Sequence, residues 1–482
     1  FTDQQRADTI AALGNPVIRT PHLDRLAGQG VAFTSAYSPS PVCVSARCCL
    51  TFGQYPGRTG CADNGDPYPA DRPGFVELLR RAGYRTHGIG KCHFTPTHAR
   101  HGFESRESQE ELNRRADDDY GRWLVEQGHG GVVDPMGTRG EMYYIPQVSC
   151  LPAAAHPTQW IGDRCRDFIR QQAGGDRPWY LFGSFIHPHP PFAPPQPWHK
   201  LYRAPLMPLP HLPPQMEALH TWINRRQNRY KYRDQGLDLN LLRNLKAHYY
   251  ACISFIDVQV GGILAALEQT GQLGDTLILF SSDHGELLGD YGCFGKRSFH
   301  DACARIPLLA WQRGRLDGGR RCQAPASLVD LAPTALAAAG LDPASLDGDG
   351  VDLAALAAGP ARREAVFSQF QRGGQAIVTA VTERHKYAWS AGDGREFLFD
   401  RVEDPHETRN RAGVSLCQGD LKHLRAMTLA ELRRQGAADL LDGDAWRRFP
   451  PQVISADPDD GLLIQDPPDL RLDLPGYTTP SR

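Results

Sequence analysis

Thr276-Leu277-Ile278-Leu279-Phe280-Ser281-Ser282-Asp283-His284-Gly285 is a short apolar run that ends abruptly in two hydroxyls, a carboxylate, an imidazole and a glycine. Unbroken apolar character over so few residues marks a strand buried on both faces, the habit of parallel sheets. Residues 179–186 form a second such run, followed by His187 and His189. Longer amphipathic stretches separate these runs, with no repeat at a fixed period, and that alternation predicts an α/β chain. Ligands of open α/β sheets bind beyond the carboxyl ends of strands, so the two polar clusters are expected to converge on one site.

Working outward, residues 74–81 follow Pro73 and precede Gly83, a proline start and glycine stop for a short helix that leads into a strand at 84–89. Residues 328–339 read as another helix, closed by Gly340. After residue 350 the character changes, and turn-separated strands are predicted at 365–369, 376–382, 387–390 and 397–399. The expected organisation is an α/β domain over 1–360, with a large mixed, mostly parallel sheet flanked by helices. A smaller C-terminal α+β subdomain over 361–482 follows, built on an antiparallel sheet and ending in an acidic, proline-rich surface tail.

The 482 residues suffice for a large core. Lys and Arg number 53 against 55 Asp and Glu, which removes the general attraction for polyanions and argues against nucleic-acid binding. The 48 glycines and 38 prolines beside 41% hydrophobic residues describe a globular chain with many structured loops. Residues 247–267 are the most apolar stretch, but Asp257 and Gln259 interrupt them, so they read as a buried helix, and no membrane association is expected. Twelve cysteines without a C-x-x-C pair read as reduced, buried thiols, favouring the cytoplasm over the periplasm. The chain starts at Phe1 in place of Met, as a trimmed or truncated N-terminus would.

Ser40-Pro41-Val42-Cys43-Val44-Ser45-Ala46-Arg47 sets a cysteine just before a helical segment, with a cation four residues on, where an anion or a reactive nucleophile is stabilised. Leu50-Thr51-Phe52-Gly53-Gln54-Tyr55-Pro56 follows. Together they resemble the signature of the formylglycine-dependent sulfatases of the alkaline-phosphatase-like superfamily, Cys-x-Pro/Ala-x-Arg and then Leu-Thr-Gly-x-Tyr-Pro. Thr2-Asp3-Gln4, Thr20-Pro21-His22-Leu23-Asp24, Gly90-Lys91-Cys92-His93, His187-Pro188-His189-Pro190, Ser282-Asp283-His284-Gly285, Gly295-Lys296 and Glu403-Asp404-Pro405-His406-Glu407 are each similar to an element of that family, in family order. Four positions depart from the common pattern: Ser45 for Pro or Ala, Gln4 for Asp, His284 for Asn and Cys92 for Trp. Gln4 and His284 make the metal motif similar to that of choline sulfatases and phosphonate monoester hydrolases.

The resemblance implies hydrolysis of a sulfate monoester to alcohol and inorganic sulfate. Asp3, Gln4, Cys43, Asp283 and His284 would hold one divalent metal, Ca²⁺ or Mn²⁺, as a set of hard oxygens and one imidazole does. Cys43, oxidised to formylglycine and hydrated, would attack sulfur. Arg47 and Lys91 would hold the hydrate and the sulfate oxygens, His189 and Lys296 would serve the leaving alcohol, and His93 would help release sulfate. The implied partners are a small sulfated substrate (aryl, alkyl or sugar sulfate) and a formylglycine-generating enzyme, with a homo-oligomer left open. Two alternatives stand beside this reading: a phosphonate monoester or phosphodiester hydrolase on the same scaffold, and a non-catalytic binding protein with unmodified Cys43. Residues 222–233, with Arg225, Arg226, Arg229, Lys231 and Arg233 among tyrosines, read equally as a solvated helix face or as a substrate contact. The proline-rich residues 188–197 are expected to form a stiff loop at the entrance.

Overall fold

In the computed structural model, the strand Ile278–Ser281 lies near the middle of a sheet of eight segments. The order is Ser105–Ser108, Arg85–Gly90, Trp179–Ser184, a lone bridge at Thr2, Ile278–Ser281, Leu308–Trp311, Val31–Phe33 and Arg320–Cys322. Every neighbouring pair is parallel except the two made by Leu308–Trp311, so the sheet is mixed and mostly parallel, as expected from the sequence. The structure describes residues 1–111, 117–139, 143–232 (backbone alone from 229), 238–359 and 363–455. The domain boundary at 360/361 and the tail from 456 lie outside the described residues.

Register decides where the chemistry falls. Gly90 pairs with Ser184, and Thr2 bridges both Phe185 and Ser282, so four strand ends stop on one line. The residues just past that line are Lys91, Asp3, Asp283 and, after a short turn, His187 and His189. Gly90 makes the line possible: it holds φ +87, and a Cβ there would stand 2.1 Å from the carbonyl oxygen of Ser184, so only glycine lets the two backbones meet.

Alternation along the strands divides the core in two. Leu308 and Ala310 face a cluster with Val44, Leu50 and Phe52 of helix Cys43–Phe52, Phe75 and Leu79 of helix Phe75–Arg81, and Leu331 and Leu336 of helix Leu331–Ala338. Leu309 and Phe280 face Trp160, Ile161 and Phe168 of helix Pro157–Gln171 and Ile256, Val260 and Leu264 of helix Leu239–Gln269. Emptying one such position, as in Phe280→Ala, would cost roughly 3–5 kcal/mol.

Helix Leu239–Gln269 is long and apolar enough to cross a membrane by length and composition, yet 72% of its most apolar window is buried inside the protein. Asp257, the charge that interrupts its apolar run, accepts the backbone N–H groups of His22 and Leu23, at 3.2 and 2.7 Å, and so caps helix Pro21–Gln29 from outside. On the same long helix the Tyr249 hydroxyl donates to the carbonyl of Gln4 at 2.7 Å and accepts from the Arg6 N–H at 2.9 Å, which fixes the path of the chain after Asp3.

The four late strands form one antiparallel meander, Val366–Phe370, Ile377–Val381, His385–Ser390 and Arg395–Asp400. Helix Gln418–Gln435 covers one face with Leu421, Leu424, Leu429 and Leu432 against Val378, Tyr387 and Leu398. The other face sets Phe370, Ile377, Phe397 and Phe399 against Val42, Leu287 and Phe299. The small sheet therefore rests directly on segments that border the strand-end line.

Candidate active site

Asp3, Cys43, Asp283 and His284 are fully buried, and one ligand atom from each lies within 4.8 Å of all the others. Three come from the strand-end line, and the fourth is the first residue of helix Cys43–Phe52, whose N-terminus is directed at the cluster. His284 Nδ1 donates to the carbonyl of Gly285 at 3.0 Å, so its Nε2 keeps a lone pair toward the cluster, 3.3 Å from Cys43 Sγ. Burial lowers its pKa, which preserves that lone pair. Two carboxylates and a neutral imidazole around one point suit a divalent cation.

Arg47 lies one turn along the helix and is 2% exposed. Its guanidinium spans the two acids, Nη2 to Asp3 at 3.1 Å and Nε to Asp283 at 3.0 Å, and Nη1 adds the carbonyl of Lys91 at 2.7 Å and the Ser184 hydroxyl at 3.1 Å. Burial alone would raise Asp283, but Arg47, Lys91 and the backbone amides of Gln4 and His284 overcome it and hold the carboxyl well below its ordinary range. Lys91 bridges Asp3 at 2.6 Å and Glu111 at 2.5 Å. Lys296 reaches Cys43 Sγ at 2.7 Å, His189 Nε2 at 3.0 Å and Gln4 Oε1 at 3.1 Å. His189 Nδ1 donates to the carbonyl of Pro190 at 2.7 Å, which leaves Nε2 as the acceptor facing that ammonium. Burial, with Asp3 close by, pushes the Cys43 thiol up to about 11.

The structure thus gathers Asp3, Gln4, Cys43, Arg47, Lys91, His189, Asp283, His284 and Lys296 into one contact network. His93 sits at φ +56 with its N–H held by the Glu110 carboxylate at 3.1 Å, and its Nδ1 is buried without a partner. Gln4 contributes through a side-chain contact to Glu286 and through its N–H, which donates to Asp283 at 3.0 Å.

Sequence reasoning misses Glu111, which meets Lys91, Arg139 at 3.0 Å and His189 at 3.3 Å. It stands in a stretch without a motif, so no local signal marks it. Glu286 has a signal in the segment after Asp283; its carboxylate collects Gln4, the Tyr144 hydroxyl at 2.7 Å, and the N–H groups of Leu288 at 2.9 Å and Gly295 at 2.5 Å.

One expectation is corrected in part: of the proline-rich residues 188–197, 188–195 are buried instead of edging an entrance, because Phe192 packs on Tyr144 and Tyr249, while Gln196 and Pro197 are exposed. Helix Trp222–Tyr232 reaches the site by a neutral side chain, Gln227, which donates to the carbonyl of Lys296 at 2.6 Å, while Arg225 pairs with Asp393 at 2.5 Å. The side chains of 229–232 and residue Arg233 lie outside the described residues. A cavity of about 630 Å³ lined by Asp176, Trp179, Thr276 and Ile278 opens at the other ends of the strands and contains none of the four clustered ligands.

The family model described as Sulfatase matches residues 1–341, which include every residue of this network. The chain belongs to the sulfatase family. It is a sulfuric ester hydrolase on the alkaline-phosphatase-like fold. This sulfatase is 28% identical to an arylsulfatase of Clostridium perfringens over 91% of the chain and 95% of the relative, and 31% identical to a choline-sulfatase of Rhizobium meliloti over 82% and 78%. Its structure is similar to a phosphonate monoester hydrolase of Agrobacterium radiobacter, with TM-score 0.78, 26% identity and coverage of 93% and 98% of the two chains.

Proposed function

We propose that this sulfatase hydrolyses a small sulfate monoester, with Cys43 oxidised to formylglycine and one divalent cation held by Asp3, Asp283, His284 and the modified Cys43. The observation that carries the reading is the buried quartet with Lys296 Nζ 2.7 Å from Cys43 Sγ. A protonated thiol is a poor partner for a hard cation, whereas oxygens at that position complete a hard donor set. When bound, the cation and the hydrated aldehyde supply a nucleophilic oxygen and polarise the ester. Ca²⁺ and Mn²⁺ both fit the donors, and the imidazole favours Mn²⁺.

The chain's own residues do the rest. Arg47 bridges Asp3 and Asp283 and keeps both ionised. Lys91 presents fixed positive charge where sulfate oxygens crowd the cluster, in a water-poor pocket that strengthens it. Lys296 delivers a proton to the leaving oxygen, and His189, neutral and fixed by Pro190, holds that ammonium in line. His93 offers a buried ring nitrogen without a partner, Nδ1, and takes a proton as sulfate leaves.

The second reading, phosphonate monoester hydrolysis, rests on the likeness to the Agrobacterium enzyme. Twelve unpaired thiols support a reducing compartment, the cytoplasm before the periplasm. The test is peptide mass spectrometry across Cys43 after co-expression with a formylglycine-generating enzyme, then turnover of aryl sulfate and aryl phosphonate on one preparation. A mass loss of about 18 Da with preferred sulfate turnover is expected. An intact thiol in active enzyme refutes the nucleophile, and preferred phosphonate turnover refutes the substrate.

A further inference from the structure

Lys386 is a buried cation that the site does not touch. It lies in strand His385–Ser390 of the small sheet, fully buried, with the face of Tyr37 5.3 Å from its ammonium. Nζ donates to the carbonyl of Phe299 at 3.0 Å and contacts the carboxylates of Asp301 and Glu407. Glu407, 1% exposed at the end of its turn, accepts the Asp301 N–H at 2.7 Å, and the Tyr37 hydroxyl donates to Asp301 at 2.8 Å. Burial works against the Lys386 charge, but Asp301 and Glu407 raise its pKa above the ordinary lysine value. The only apolar service such a group performs is packing, and a methionine would perform it without desolvating an ammonium.

What the three charges grip is the segment between them and the site. Lys296 stands three residues before Phe299 and five before Asp301. Arg297, at φ +71, donates its N–H to the carbonyl of Pro41 at 2.8 Å, so the segment turns sharply just after Lys296. From Asp301 the helix Asp301–Ala304 runs back under the metal-side turn: the carbonyls of Cys303 and Ala302 accept the N–H groups of Gly285 at 2.6 Å and Glu286 at 2.9 Å. One clamp therefore sits behind both Lys296 and the Asp283-His284-Gly285 turn.

We propose that Lys386 and Glu407 are positioning residues, which act through Phe299 and Asp301 to hold Lys296 at hydrogen-bond distance from Cys43. The effect on catalysis rests on the reading of Lys296 as proton donor; the effect on position does not. Lys386→Met keeps length and removes the charge, leaving Asp301 and Glu407 facing each other. Burial raises the Glu407 carboxyl to about 7 and Lys386 is what lowers it, so in Lys386→Met Glu407 takes up a proton; Glu407→Gln in the same chain is then expected to add little to what Lys386→Met loses, a non-additivity typical of groups in one network.

The experiment has two arms. Kinetics on a series of aryl sulfates is expected to show Lys386→Met losing about 10²-fold in kcat on phenyl sulfate, whose leaving oxygen needs a proton, and far less on 4-nitrophenyl sulfate, with KM nearly unchanged. Lys296→Met is the control and is expected to show the same dependence on leaving group, more steeply. The second arm is a crystal structure of Lys386→Met, in which residues 296–301 are expected to shift and the Lys296 ammonium to leave the Cys43 position. An unshifted segment overturns the proposal whatever the kinetics show. A shifted segment with equal losses across the series, and a flat Lys296→Met control, leaves the clamp standing and overturns the proton-donor reading. A uniform loss in Lys386→Met beside a steep control overturns the clamp as a device for Lys296.

Discussion

Arg47→Met isolates the electrostatic problem at the centre of the site. Two carboxylates, both without solvent exposure, share one guanidinium at 3.1 and 3.0 Å. Removing one partner of a buried pair costs about 3–5 kcal/mol, because the remaining charge stays desolvated. Asp3 keeps Lys91 at 2.6 Å, and Asp283 keeps the Gln4 and His284 amides at 3.0 and 2.9 Å, so the lower end of that range applies. With about 2.1 cal/mol/K of unfolding entropy per residue, a cooperative unit of 482 residues gives about 1 kcal/mol/K, and the loss reads as a Tm drop of about 3 °C. A bound dication takes over the neutralisation that Arg47 provides. Thermal melts are therefore expected to show the full drop in chelator and a smaller one with saturating Mn²⁺ or Ca²⁺, and metal titration is expected to show tighter binding in the variant. An equal drop with and without metal would refute the reasoning, since the hydrogen bonds to Ser184 and Lys91, not charge compensation, would then carry the loss.

His187 stays neutral because burial lowers its pKa to about 4 from 6.5. A base lowered on folding contributes stability that is complete above 6.5 and is lost as pH falls through about 4, here about 3 kcal/mol; urea midpoints at pH 7 and pH 4 are expected to converge in His187→Asn relative to the parent. Gly285→Ala would put a Cβ 2.2 Å from the carbonyl oxygen of Ala302, so the turn must move, at a cost of roughly 1–3 kcal/mol, and isothermal titration is expected to show weakened Mn²⁺ binding. Lys296→Met is expected to lower kcat by roughly 10²–10⁴-fold with the fold intact by circular dichroism. Dialysis against a chelator is expected to abolish turnover of aryl sulfate, and added Mn²⁺ or Ca²⁺ to restore it.

Much of this site is legible in the chain because strand ends carry it. Residues 276–285 and 179–189 announce two of the four ends by a local change from apolar to polar, and the parallel habit brings such ends together. The reversed direction of Leu308–Trp311 is not legible: a four-residue apolar strand has the same pattern in either direction, and its partners are set by the rest of the sheet. Glu111 is hidden for a related reason, since its role comes from meeting Lys91 and His189 across the fold and not from any spacing. The contact of helix Trp222–Tyr232 with the site is not legible either, because the residue that reaches Lys296 is the uncharged Gln227, which no pattern of charge marks. Residues 188–195 mislead because prolines signal a turn but do not say whether aromatic neighbours draw it inward.

The burial of the segment that carries Cys43 sets an order of events. All ten residues of Cys43–Phe52 are buried, and Cys43 has no exposed surface. Under the proposed maturation, an enzyme that oxidises this thiol has to reach a group the closed fold does not expose, so oxidation and folding compete for the same stretch of chain. Slowing the closure of helix Cys43–Phe52, by lower temperature or slower synthesis, is then expected to raise the oxidised fraction, while extra modifying enzyme added to finished protein is expected to leave it where it was.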